Sequence, residues 1–353
     1  MRDILPHLKL WRERGDRLAL ATVIKTWGSA PRAAGAKMAV NEKGDFVGSV
    51  SGGCVETAVI SEAMKMIATG APAKLLRFGV SDEQAWSVGL ACGGSIEVLV
   101  ECWPARQTEN AALPQEALLD VWLEDLAQAK PVVVARMLDE QAPGLGRQVL
   151  LRRDGSERGE LGDESLANIL RARAGAFFER EQAEVITAGA TAVFVESIFP
   201  APKLIIIGAV HIAIPLATIA KTLDYEVILL DPREAFATEE RFPHVDRMLR
   251  QWPDEALMKI GIDAGTCIVI LTHDPKLDDP ALKFALQHRP AYLGVLGSKR
   301  THEKRIKRLK EDGITEEQLA TVHAPVGMDL GGRTPAEIAL SIMAEIVALR
   351  RRA

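Results

Sequence analysis

At 353 residues the chain is long enough for two domains, each with its own core. Apolar residues make up 48% and charged residues 26%, ordinary for a soluble globular protein, and a net charge of −5 gives no global attraction to nucleic acid. The longest apolar runs are too short to cross a bilayer, Met1-Arg2-Asp3-Ile4 has no signal-peptide pattern, and four cysteines make no disulfide scaffold, so a reducing cytoplasm is expected.

Residues 4–15 carry apolar side chains at helical spacing (Ile4, Leu5, Leu8, Trp11) and stop at Gly15. Leu18 to Thr26 predicts a strand that runs into the loop Trp27-Gly28-Ser29-Ala30-Pro31-Arg32, with an exposed cation. Lys37 to Val40 and Phe46 to Val50 predict a hairpin across Asn41-Glu42-Lys43-Gly44. Cys54 to Ile67 then has helical spacing (Val55, Ala58, Val59, Ala63, Met66, Ile67) and ends at Gly70. A strand at Lys74 to Phe78, a loop holding Cys92, and a strand at Ile96 to Val100 come next. Gln115 to Ala129 and Glu164 to Phe178 read as helices; Pro131 to Arg136, Gln148 to Arg153 and Ala192 to Ile198 read as strands. Residues 1–199 are therefore expected to form a mixed α+β domain.

Pro200-Ala201-Pro202 reads as a linker. Beyond it, Leu204 to Ile207 is the continuous apolar run of a strand buried on both faces. A helix follows through about Leu223, then strands at Val227 to Leu230, Thr266 to Leu271 and Ala291 to Leu296, separated by helical stretches. This alternation predicts a Rossmann-like, doubly wound parallel sheet over residues 203–353, an α/β protein overall. Thr334, Pro335 and Glu337 predict a capped start for the last helix. No repeat with a period of about 20–50 residues shows.

The most informative stretch is Gly48-Ser49-Val50-Ser51-Gly52-Gly53-Cys54-Val55-Glu56. It puts Cys54 at or beside a helix N-terminus, where free N–H groups and the dipole favour an anion and lower a thiol pKa. Glycines there let a bulky ligand reach the backbone. Gly89-Leu90-Ala91-Cys92-Gly93-Gly94 repeats the chemistry in reverse order. Neither cysteine has a CxxC partner, so the spacing fits no zinc pattern. The plainer alternative is that both are small buried core residues. Arg32 could pair with an anionic group or be a surface charge, and Glu56 could favour the helix dipole or serve as a site acid. Cys102 and Cys267 fall inside predicted strands and are expected to be inert.

In the second half, Gly208-Ala209-Val210-His211-Ile212-Ala213 between strand and helix, with Asp231 after the next strand, follows the dinucleotide pattern. Asp231 stands where a ribose hydroxyl is held, and Arg233 could meet a 2′-phosphate or be a solvated loop charge. Val210 replaces the second glycine, which predicts weakened NAD(P) binding. Thr272-His273-Asp274 and Gly297-Ser298 also follow strands, and the latter, with Lys299 and Arg300, would suit a phosphate. The basic helix beyond (Lys304, Arg305, Lys307, Arg308) reads as a solvated face.

Gly28-Ser29-Ala30-Pro31-Arg32, Gly35-Ala36-Lys37-Met38, the Gly48 to Glu56 stretch and Cys92-Gly93-Gly94 resemble the amino-terminal motifs of the xanthine dehydrogenase accessory (XdhC/CoxI) family. Asp231-Pro232-Arg233, Thr272-His273-Asp274, Gly297-Ser298 and Thr334-Pro335-Ala336-Glu337-Ile338-Ala339 resemble its carboxy-terminal Rossmann domain. The family's glycine turn usually reads Gly-x-Gly-His-x-Ala; this chain keeps Gly208, His211 and Ala213. The resemblance implies a maturation factor that binds molybdenum cofactor, holds it while a cysteine desulfurase exchanges a molybdenum oxygen for sulfur, and passes it to an apo molybdenum hydroxylase of the xanthine dehydrogenase type. It implies no turnover of a substrate. On this reading Cys54 and Cys92 contact the metal, while Arg32, Ser51, Gly52, Gly53, Glu56, Gly93 and Gly94 line the cofactor. Delivery requires docking, so a homodimer is expected. The rival reading is an NAD(P)-dependent oxidoreductase with its cofactor at Gly208 to Asp231 and His211 or His273 as acid or base.

Overall fold

A computed structural model describes residues 3–28, 32–53, 55–79, 94–103, 116–140 and 144–352. The chain divides into two compact units, Met1–Pro200 and Ala201–Ala353. The fold is α/β: antiparallel sheets with helices in the first unit, a parallel Rossmann-type sheet in the second.

The first unit runs α1 (Leu5–Arg14), β1 (Leu18–Trp27), β2 (Lys37–Asn41), β3 (Phe46–Gly48), α2 (Glu56–Thr69), β4 (Ala73–Phe78) and β5 (Ser95–Trp103). It continues with α3 (Glu116–Ala127), β6 (Val132–Met137), β7 (Gln148–Arg152), β8 (Glu157–Gly159), α4 (Glu164–Phe177), β9 (Ala183–Ala188) and β10 (Thr191–Ile198). Alternate residues face opposite ways. Leu18 and Leu20 of β1 join Val132 and Val134 of β6 in a core shared by both sheets, with Trp11 and Trp122 from α1 and α3. Ala19, Ala21 and Val23 instead pack under Val59, Ala63 and Met66 of α2. Val133, Ala135, Val193 and Val195 pack under Leu166 and Leu170 of α4. Both faces of each sheet are thus covered, which is why these strands read as unbroken apolar runs.

The two sheets have the same topology, β3-β2-β1-β5-β4 and β8-β7-β6-β10-β9. The registers correspond as well: Thr22 pairs with Lys37 and Leu99 as Arg136 pairs with Gln148 and Phe194. Gly48 (φ +83°) lies where a Cβ would come 2.3 Å from the Lys37 carbonyl and 2.7 Å from Ile4; Gly159 (φ +80°) meets the Gln148 carbonyl at 2.4 Å and Leu118 at 2.7 Å. The first unit is therefore an internal duplication longer than any short-period repeat. Two connections break the correspondence. Residues 49–55 join β3 to α2, whereas 160–163 join β8 to α4. Residues 79–95 separate the paired Phe78 and Ile96, whereas only Gly189 and Ala190 separate Ala188 from Thr191.

Where the two copies meet, a group of polar residues faces inward. Lys37 donates to Glu196 at 2.6 Å and to Thr22 at 3.1 Å, Arg136 pairs with Glu196 and with Glu101 at 2.9 Å, and Gln148 donates to Glu101 at 2.7 Å. All are buried.

The second unit runs β11 (Lys203–Ile207), α5 (Ala213–Thr222), β12 (Glu226–Leu230), β13 (Arg247–Leu249), α6 (Pro253–Ile260) and β14 (Thr266–Ile270). It ends with α7 (Pro275–His288), β15 (Tyr292–Val295), α8 (Lys299–Glu311), α9 (Glu316–Leu319) and α10 (Pro335–Arg352). The all-parallel order β13-β12-β11-β14-β15 puts the switch in direction between β11 and β14. Leu204 and Ile206 face one core with α5 and α10, Ile205 and Ile207 the other with α6 and α7. The start of α10 forms a capping box: Glu337 accepts the Thr334 amide at 2.8 Å, and Thr334 Oγ1 accepts the Glu337 amide at 3.3 Å. The sequence pattern passes over β8, β9 and β13; each is an edge strand whose residues, Ile186 apart, are half-exposed or exposed, which removes the apolar signal. Among the described residues no helix is long and apolar enough to cross a membrane.

Candidate functional site

Strand direction decides which loops of the first sheet share an end. β1 ends at Trp27, β2 begins at Lys37 beside Thr22, β3 ends at Gly48 beside Met38, β4 ends at Phe78, and β5 begins at Ser95 opposite Trp27. The connections 28–36, 49–55 and 79–94 therefore all leave from one end of the sheet. These are the segments that carry Arg32, Cys54 and Cys92. Cys54, Cys92 and Gly93 lie outside the described residues; Gly94 is buried ahead of β5.

The Ser49–Gly53 loop has a defined occupant. The Glu56 carboxylate accepts the amides of Val50 (3.2 Å), Ser51 (2.9 Å), Gly52 (3.1 Å) and Gly53 (2.9 Å). The Ser49 hydroxyl donates to it at 2.7 Å, and that of Ser51 does the same. Positive φ at Gly52 (80°) and Gly53 (120°) turns these amides inward, a conformation that favours glycine. The anion that the loop amides receive is thus the chain's own side chain. Glu56 also stands in the first turn of α2, where the dipole reading puts it; the amides around its carboxylate add a role that appears only after folding. Burial pushes its pKa up, but the hydroxyls of Ser51 and Ser49 and the Ser51 amide outweigh it and hold the carboxyl at about 2. Ser51 is buried, Gly52 and Gly53 are exposed. Arg32 Nε donates to the Ser49 carbonyl at 3.2 Å, which places its exposed side chain against this loop.

Cys267 is buried, Cys102 is half-buried beside Glu101, and burial pushes both thiols up to about 12, so both stay protonated at neutral pH. Among the described residues no three His, Cys, Asp or Glu side chains gather at metal-holding distance.

In the second unit, the Gly208 turn approaches β14 so closely that a Cβ would sit 2.6 Å from Thr272 Cγ2. Asp231 is fully buried and both its oxygens are taken. The Ala209 amide donates at 2.7 Å, the Arg233 amide at 3.0 Å, and Arg233 Nε and Nη2 at 2.8 and 2.7 Å. Asp231 is therefore not free to take a ribose hydroxyl, while Arg233 spends only Nε and Nη2 on this fork and keeps a partly exposed side chain. Val210 packs on the core, and His211 is exposed. Thr272 donates to Asp278, His273 is exposed with φ +62°, and Asp274 caps α7 by accepting the Lys276 amide at 3.0 Å. Gly297 (φ +149°) precedes Ser298, which caps α8 by accepting the Thr301 amide at 3.2 Å. The solvated reading of the basic helix holds for exposed Lys304 and Lys307 and fails for Arg305, which is 2% exposed and donates to Asp278 at 3.1 Å. The stripe His302, Arg305, Leu309 had the spacing to reveal it, but charge alone argued for solvent.

Residues 11–79 match the profile of the XdhC and CoxI family, and residues 204–346 that of the XdhC Rossmann domain. The chain is 28% identical to a Bacillus subtilis protein whose name describes a probable xanthine dehydrogenase component, across 96% of this chain and 95% of that one. It is also 28% identical to the Escherichia coli molybdenum cofactor insertion chaperone PaoD, across 95% and 84% of the two chains. A solved structure from Bacillus halodurans, described as a xanthine dehydrogenase, superposes with a TM-score of 0.77 at 26% identity and covers 99% of this chain and 96% of its own. With a matched segment in each unit and relatives along its whole length, the chain belongs to the XdhC and CoxI family.

Proposed function

We propose that the protein is a molybdenum cofactor insertion chaperone for a xanthine dehydrogenase-type hydroxylase. Its full-length similarity to a chaperone of that name supports the reading. The observation that carries it is structural: the two connections that break the internal duplication, 49–55 and 79–95, are those bearing Cys54 and Cys92, and both leave the same end of the first sheet. A duplicated scaffold elaborated at one end of one copy puts its special chemistry there.

In this proposal the cargo is a pterin with a phosphate and a dithiolene-bound molybdenum. Thiolates of Cys54 and Cys92 suit the soft metal end, and Arg32 suits an anionic group. Ser51, Gly52 and Gly53, held by Glu56, keep the chain before Cys54 in one conformation, which lowers the ordering cost of binding. Gly93 and Gly94 give the second connection the same backbone access. The protein holds the cofactor while a cysteine desulfurase supplies sulfur, then docks as a homodimer with the apo-hydroxylase.

Anaerobic purification followed by molybdenum analysis and pterin fluorescence tests this. Wild type should retain cofactor, and Cys54→Ala and Cys92→Ala should each lose most of it. Replacement of residues 79–95 by Gly-Ala, copying the β9–β10 turn, should give a folded protein without cofactor. Retention at wild-type level in all three variants would sink the proposal.

A further inference from the structure

The α8 end of the second unit holds polar groups that the fold itself does not use. Arg305 is 2% exposed, and its Nη2 donates to Asp278 Oδ2 at 3.1 Å and to the Leu296 carbonyl at 3.3 Å. Its Nε and Nη1 have no partner among the described residues, and neither does the buried Nδ1 of His302, one helical turn earlier. Buried donors are normally satisfied, because an unmet one forfeits its hydration with no return. Arg305 reaches back along α8 toward Gly297, whose missing Cβ would stand 3.8 Å from Nη1 and 3.5 Å from Thr301. A Cβ there would make ordinary contacts, so the glycine keeps a methyl group's room beside the guanidinium at the start of the helix. α8 spans 13 residues, and its geometry leaves the amides of Lys299 and Arg300 without intrahelical acceptors. Both side chains are exposed cations. The place is the carboxyl edge of a parallel sheet, where α/β folds bind ligands.

We propose that Arg305, His302 and the first turn of α8 form a binding site for a phosphate group. A tetrahedral dianion offers acceptors to the guanidinium, the imidazole and the helix amides at once. Asp278 fixes Arg305 through Nη2 and leaves the other two nitrogens for the ligand. Burial and the neighbouring Arg305 lower the His302 pKa, so the ring is neutral at pH 7 and places its one proton on the nitrogen that faces an acceptor. The site is built within the second unit and does not depend on the chaperone reading.

The test is equilibrium titration of the full chain with inorganic phosphate at constant ionic strength, read by phosphorus NMR line width. Saturable one-to-one binding is expected, about tenfold weaker in Arg305→Met, several-fold weaker in His302→Gln, and unchanged in Lys283→Ala, a charge-matched control on α7. If Arg305→Met does not fold, His302→Gln decides alone, because its half-buried ring tolerates the exchange. Parallel titration with adenosine 5′-monophosphate separates the sources: tighter binding assigns the site to a phosphate ester, equal binding to the free ion. Absence of saturable phosphate binding in wild type, or wild-type affinity in His302→Gln, overturns the proposal. No pterin or molybdenum enters the assay, so this outcome and that of the retention test are read independently.

Discussion

Glu56 sets the shape of the loop that precedes Cys54, and it does so as an anion. Its carboxyl pKa falls from 4.5 to about 2 in the folded chain, so the folded state binds a proton less readily than the unfolded one. The stabilisation is complete above about pH 4.5 and fades as pH falls toward 2. Glu56→Gln should lower the unfolding free energy at pH 7 by about 2 kcal/mol and flatten the acid limb of the stability profile, as measured by urea denaturation across pH. Glycines supply a second contrast. Gly48→Ala forces a Cβ to within 2.3 Å of the Lys37 carbonyl, whereas Gly70, also left-handed at φ +73°, has nothing within 4 Å. Gly48→Ala and Gly159→Ala should each cost about 2–4 kcal/mol and Gly70→Ala about 1 kcal/mol, as read by thermal melts.

Between the sheets, pairs of elements meet through charge. Burial pulls Lys37 down to about 8 against the attraction of Glu196, and Glu101 is raised by burial despite Arg136 and Lys37. Desolvation is therefore only partly repaid, and the cluster fixes which strands face one another more than it adds stability. Glu196→Gln leaves Lys37 and Arg136 facing Glu101 alone and should cost about 3–5 kcal/mol in denaturant titration. Adding Lys37→Met restores the balance and should recover more than half of that loss. The cluster was not legible in the sequence: Glu196, Arg136 and Glu101 lie in or beside stretches recognised by their apolar neighbours, and nothing local pairs one with another. Only the stacking of one sheet on its copy turns those positions inward. The central strands were legible because both their faces are apolar; the edge strands β8, β9 and β13, with few buried residues, were not.

At the scale of the whole molecule, the Rossmann architecture of the second unit is clear, yet Asp231 is engaged by the Ala209 amide and by Arg233. Calorimetric titration with NAD(H) or NADP(H) should show no saturable binding, since both Asp231 oxygens are already taken by Arg233 and by the Ala209 amide. Clear saturation would show that the fork opens. Sequence alone determined the α/β class, the order of the central elements and the two cysteine-glycine stretches, because apolar periodicity and backbone-permissive glycines are local properties. Tertiary structure decided the rest: the internal duplication, the common end from which both cysteine connections leave, the carboxylate in the Ser49–Gly53 loop, and the burial of Arg305. Each of these depends on which residues, far apart in the chain, are brought face to face, and no local pattern encodes that.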